Sequence, residues 1–140
     1  MGMIEIHGLR KLYKADNREC LALNNINLTI DKGDFVAICG TSGSGKTTLF
    51  NILSGIDTDY EGSCIIDKKD NKSISREQLT IRRRNKIGIV FQFFNLIETL
   101  TVEENISLSV ELDGKNVDQS KLEKIMKELE ILEKRNAFID

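Results

Sequence analysis

Along the first thirty positions apolar and polar residues alternate, Ile4 and Ile6 against Glu5 and His7, then Ile26, Leu28 and Ile30 against Asn25, Asn27 and Thr29. A period of two sends successive side chains to opposite faces, so these stretches predict half-exposed antiparallel strands. Asp31-Lys32-Gly33-Asp34 reads as the turn that follows, and residues 35–39 (Phe-Val-Ala-Ile-Cys) are continuously apolar, which suits a strand covered on both faces. The period then changes. Leu49, Ile52, Leu53 and Ile56 fall at i, i+3, i+4 and i+7, one buried stripe of a helix that Gly55 could close.

Further on, Cys64-Ile65-Ile66 predicts a short strand, residues 67–73 a polar turn, and residues 75–85 a helix with Arg82, Arg83 and Arg84 on a solvated face. Residues 87–91 (Ile-Gly-Ile-Val-Phe) form a second candidate for a buried strand. Two capping boxes announce helices: Thr101 with Glu104 ahead of Ile106 and Val110, and Ser120 with Glu123 ahead of Ile125, Met126, Leu129 and Leu132. The chain contains no internal repeat.

Composition narrows the classes. At 140 residues, 40% hydrophobic and 30% charged, the sequence has the size and balance of one globular domain. A formal charge of −2 supplies no basic field, which argues against nucleic acid as a partner. No apolar run approaches the roughly 20 residues that span a bilayer, and the start lacks a signal-peptide core, so the expected place is the cytoplasm, at a membrane only where a partner holds the chain there. Cys20, Cys39 and Cys64 lack C-x-x-C spacing and paired histidines, which points to buried free thiols rather than a disulfide or metal cage.

Between the apolar run and the helical stripe stands Gly40-Thr41-Ser42-Gly43-Ser44-Gly45-Lys46-Thr47-Thr48, which satisfies the P-loop (Walker A) pattern G-x-x-x-x-G-K-[ST]. Each residue type has a physical task. Glycines let the backbone turn tightly and present N–H groups to an anion without a Cβ in the way. A helix starting near Gly45 aims its positive end at the same place. Lys46 can neutralise β and γ phosphates, and the Thr47 hydroxyl can ligate Mg²⁺, a hard ion that prefers oxygen. Nucleoside triphosphate binding is the expected function. A guanine reader N-K-x-D is absent, since Asn85-Lys86-Ile87-Gly88 lacks the aspartate.

Residues 87–96 (Ile-Gly-Ile-Val-Phe-Gln-Phe-Phe-Asn-Leu) and 100–106 (Leu-Thr-Val-Glu-Glu-Asn-Ile), together with the glycine loop, resemble the ATP-binding subunits of ABC transporters, most of all the macrolide-exporter, lipoprotein-release and antimicrobial-peptide-export branch. The resemblance covers nearly the whole chain. It implies an α/β fold, a P-loop NTPase core with an N-terminal antiparallel β-sheet flap, truncated before the signature motif. Residues 3–34 would form the antiparallel strands, 35–66 the P-loop strand, helix and following strand, 86–101 the second core strand and glutamine loop, and 102–140 the start of the helical subdomain. It also assigns Gln92 to the Mg²⁺ and the attacking water, Tyr13 to stacking on adenine, and the loop near residues 93–101, with Phe93 and Phe94, to contact with transmembrane permease subunits. The implied cofactors are ATP and Mg²⁺, and the implied partner besides the permease is a second ATP-binding subunit.

The sequence also departs from that family. A complete subunit would carry an L-S-G-G-Q signature, a Walker B strand ending in aspartate and glutamate, and a switch histidine; Cys64-Ile65-Ile66-Asp67 comes too early, Lys68 stands where the glutamate belongs, and the only histidine is His7. The chain is therefore expected to be the N-terminal part of such a domain, with negligible hydrolysis of its own, exposed sheet edges and a tendency to self-associate. The alternatives are a noncatalytic nucleotide-binding or regulatory fragment, and a DNA-repair-type ABC ATPase.

Overall fold

The computed structural model describes residues 2–15 and 18–139. The chain divides into two units, Met1–Gly88 and Ile89–Asp140, which are taken in turn.

In the first unit the alternating stretches form β1 (Ile4–Ala15) and β2 (Arg18–Ile30), followed by α1 (Lys46–Leu53), β3 (Glu61–Ile66), β4 (Lys69–Asp70) and α2 (Arg76–Lys86). The four strands make one antiparallel sheet in the order β2-β1-β3-β4. The central strand β1 places Ile4 opposite both Ile30 and Ile66. Ile6, Leu9 and Leu23 of the sheet, Leu49 and Ile52 of α1, and Tyr60, Cys64 and Ile66 form the core. Apolar area lost from water here is what holds helix and sheet together, at roughly 1.5–3 kcal/mol for a fully buried Ile or Leu.

The α1 helix ends as its glycine foretold. Gly55 takes the left-handed conformation (φ 71°), its N–H bonds the Ile52 carbonyl at 3.0 Å, and the Ile56 N–H bonds the Asn51 carbonyl at 2.9 Å. This is a Schellman closure. Ile56 itself lies past the helix and is exposed, so the buried stripe stops at Leu53. Residues 67–73 hold more than a turn: Asp67 and Lys68, both at positive φ (48° and 64°), form a two-residue hairpin into β4, and a 3-10 turn follows.

The arginine run corrects the expectation of a solvated face. Arg83 Nη1 donates to the Gly55 carbonyl at 2.9 Å, and Arg82 donates to Oδ1 of the fully buried Asn71, whose Nδ2 donates to the Ile52 carbonyl at 2.8 Å, so the two arginines tie α2 to the end of α1, one directly and one through Asn71. Burial lowers the Arg82 pKa. Among the thiols only Cys64 is buried, its pKa pushed up to about 11 by that burial, while Cys20 and Cys39 are exposed.

The two apolar runs expected as core strands pair with nothing among the described residues. Residues 35–39 and 87–91 carry no strand assignment, and Phe35 is 98% and Val90 99% exposed. A strand exists only through hydrogen bonds to a neighbour, and all four strands that formed belong to the antiparallel sheet.

In the second unit α3 (Val102–Glu111) and α4 (Gln119–Glu128) are the helices. The Thr101–Glu104 capping box is complete. The second one is not: the cap of α4 is Asp118, which accepts from the Lys121 N–H at 3.0 Å, two residues before the expected Ser120. Leu122 and Met126 are the buried face of α4, whereas Leu129 is exposed. Glu103 accepts hydrogen bonds from Arg135, Nη2 to Oε1 at 2.5 Å, and Arg135 also reaches Gln119 Oε1 at 2.7 Å.

Candidate nucleotide site

The glycine loop is built against the sheet. Gly45 is the N-cap of α1 with φ 91°, and a Cβ placed on it would lie 2.4 Å from the Ala22 carbonyl oxygen of β2. Glycine is thus demanded twice, by conformation and by contact. Gly43 is likewise left-handed at φ 78°. Lys46, the first residue of α1, turns back into the loop. Its Nζ donates to the carbonyls of Gly40 at 2.8 Å and Thr41 at 2.7 Å and to Ser44 Oγ at 3.3 Å.

Thr47 and Thr48 follow in the first turn of α1, with Thr47 exposed. The Tyr13 hydroxyl approaches Thr48 Oγ1 at 3.5 Å, so the tyrosine of β1 stands beside the loop residues, 41% exposed. The structure thereby gathers Tyr13, Gly40, Thr41, Ser42, Gly43, Ser44, Gly45, Lys46, Thr47 and Thr48 in one unit. Gln92 falls in the other unit, in an exposed segment outside regular secondary structure, together with Phe93 (77% exposed) and Phe94 (92%).

This donor set fits a magnesium-bound polyphosphate. A lysine ammonium points into the loop, two threonines sit at a helix N-terminus, and Gly40, whose Cβ would lie 2.6 Å from Ser44 Oγ and 4.0 Å from Lys46 Nζ, keeps a side chain out of the loop.

Two side chains that the sequence reading passed over act at these places. Lys11, only 4% exposed, lies two residues before Tyr13 and donates to Asp57 and Asp59. Burial disfavours its charge, but the two carboxylates outweigh this and raise its pKa. In the second unit Asn105 fastens the end of the glutamine segment: its Oδ1 accepts from the Ile97 N–H at 2.8 Å, and its Nδ2 donates to the carbonyls of Ile97, Leu100 and Thr101 at 3.0, 3.1 and 3.0 Å. The one hint for Lys11 was its parity with the core residue Leu9 and with Tyr13; for Asn105 it was a lone amide in the first turn of a helix.

Comparison with known proteins decides the family, because the sequence profile described as ABC transporter matches residues 23–140. The chain belongs to the ABC transporter family. As an ABC protein it is 40% identical over 131 residues to the macrolide export ATP-binding/permease protein MacB of Mannheimia succiniciproducens, covering 92% of this chain and 20% of that one. To the methionine import ATP-binding protein MetN of Vibrio vulnificus it is 36% identical over 138 residues, 97% of this chain and 40% of that one. The solved dimeric structure of the ABC cassette MJ0796 superposes with a TM-score of 0.84 at 37% identity, over 97% of this chain and 61% of that chain. A second structure of that cassette, a post-hydrolysis state bound to ADP and Pi, gives the same TM-score at 36% identity. This ABC chain therefore spans less than half the length of the two curated relatives and about three fifths of the solved cassette. The fold of the cassette, a P-loop NTPase with an N-terminal antiparallel sheet, is shared. No helix among the described residues is long and apolar enough to cross a membrane.

Proposed function

We propose that the chain is the nucleotide-binding portion of the ATP-hydrolysing subunit of an ABC exporter, held at the inner face of the cell membrane by permease subunits. The observation that carries this reading is the closure of the glycine loop on Lys46 Nζ at the head of α1, with Tyr13 beside Thr48. Lys46 would release its carbonyl contacts to neutralise β and γ phosphates, Tyr13 would stack on adenine, and the Thr47 hydroxyl would hold Mg²⁺. The metal, when bound, supplies charge neutralisation across the phosphates. A second ATP-binding subunit would complete the site, as the dimeric relative suggests. The exposed Phe93 and Phe94 suit the permease contact through residues 93–101. The export reading leans on the resemblance of residues 87–106, since identity to the macrolide exporter and to the methionine importer is similar, 40% over 131 residues and 36% over 138.

The 140 residues alone should hydrolyse ATP negligibly, because no Walker B carboxylate pair or signature occurs among them. The test is the melting temperature with and without excess Mg-ATP, with Lys46→Ala as control. Ligand at about 100 times its dissociation constant adds about 2.7 kcal/mol. A rise of several degrees in the parent alone supports the reading, and no rise overturns it. Turnover that Lys46→Ala abolishes would refute the claim of negligible hydrolysis.

A further inference from the structure

Lys11 stands where the sheet would ordinarily place an apolar residue. It is buried on the same strand as Ile6 and Leu9, and its ammonium is enclosed by groups from a distant part of the chain. Nζ lies 2.9 Å from Asp57 Oδ2 and 3.3 Å from Asp59 Oδ2, and it donates as well to the Asp59 carbonyl. The Asp57 carboxylate is mostly buried and held in place, whereas the Asp59 side chain is 97% exposed. The Asp57 N–H bonds the Asn51 carbonyl of α1 at 3.0 Å, and Asp57 Oδ1 accepts from the Asp59 N–H at 2.9 Å. On its other side the same ammonium sits over the Tyr13 ring, 4.9 Å from the centroid.

A closed circuit results. It runs from the C-terminal end of α1 through Asp57 to Lys11, from Lys11 to the face of Tyr13, and from the Tyr13 hydroxyl back to Thr48 in the first turn of α1. The circuit ties the ring to the same helix that carries the phosphate loop.

We infer that Lys11 is a positioning residue for the base end of the nucleotide site, holding Tyr13 at a fixed place relative to the phosphate loop and polarising its ring for stacking on an electron-rich purine. The inference rests on the nucleotide reading given above. Packing alone does not need the charge, since a buried ion pair is at best an even exchange against an apolar side chain of similar length. What the ammonium adds is a set of directed bonds to Asp57 and Asp59 and a positive charge on one ring face. That charge draws density from the ring, which favours offset stacking of an electron-rich base on the open face.

The experiment is calorimetric titration of the 140-residue chain with Mg-ATP and, separately, with magnesium and inorganic tripolyphosphate, which has the phosphates but no base. In Lys11→Met we expect ATP binding to weaken roughly three- to tenfold, the span of one cation–π contact, with tripolyphosphate binding unchanged. On a Tyr13→Leu background, Lys11→Met should add nothing further. Should the single variant fail to fold because Asp57 is left unpaired, Lys11→Met combined with Asp57→Asn removes both charges and carries the same comparison. Equal weakening of both ligands, unchanged ATP binding, or full additivity with Tyr13→Leu overturns the inference and leaves the phosphate loop standing. A parent chain that binds tripolyphosphate but ATP no more tightly also overturns it. If the parent binds neither, the nucleotide reading itself fails and this inference with it.

Discussion

Asn105 shows how much one side chain can organise. Its Oδ1 accepts from the Ile97 N–H and its Nδ2 donates to three carbonyls, so a single amide fixes residues 97–101 against the start of α3. Removing it leaves backbone groups to find other partners, at about 1–3 kcal/mol for the local structure. Asn105→Ala should therefore speed amide hydrogen exchange at Ile97 by about fivefold to a hundredfold, since each 1.4 kcal/mol of local stability is one factor of ten. Exchange at Leu100, whose N–H bonds the Ile97 carbonyl at 3.0 Å, should change less. Glu103 supplies a pH dependence. Its hydrogen bonds from Arg135 hold its pKa below the usual carboxylate value of 4.5. A lowered folded value means that the pair stabilises above that pH and that the contribution is lost as pH falls through the folded pKa. The gap in melting temperature between the parent and Glu103→Gln should thus be widest near neutrality and close below pH 4.5.

At the level of elements, the starts of α2, α3 and α4 are set by short side chains whose oxygens reach orphan N–H groups, and α4 discriminates between two candidates. Asp118 accepts from the Lys121 N–H at 3.0 Å, so Asp118→Ala should cost about 1 kcal/mol while Ser120→Ala stays within about 0.5 kcal/mol, measured by chemical denaturation. Sequence reading favoured Ser120 because serine with a glutamate three residues on is the commoner signature, and it overlooked that an aspartate can cap without one. Where chemistry demands fixed residues at fixed offsets, as in the glycine loop, the sequence was decisive. Period-two alternation likewise located β1 and β2, because both belong to one sheet whose partners lie within the chain. Residues 35–39 and 87–91 misled for a physical reason: an apolar run reports what a sheet would cover, and says nothing of whether a neighbouring strand is present to pair. Lys11 was missed because its acceptors lie 46 and 48 residues downstream.

For the molecule as a whole, the unpaired apolar runs predict self-association. Phe35, Val36, Val90 and Phe91 are all exposed, and such surface associates in water. The mass in sedimentation equilibrium should rise with concentration, and Phe35→Lys or Val90→Lys should reduce that rise; a mass independent of concentration in the parent would contradict the expectation. The first unit has a different consequence, one of timing. Its longest ladder joins β1 and β2, which are consecutive in the sequence, so their pairing is local and forms early relative to long-range contacts. Ala22, whose carbonyl closes so tightly on Gly45, belongs to that hairpin. The phosphate cradle is thus moulded on contacts that are local in the sequence: the tight seat of Gly45 is a feature of β2 and not of the loop itself.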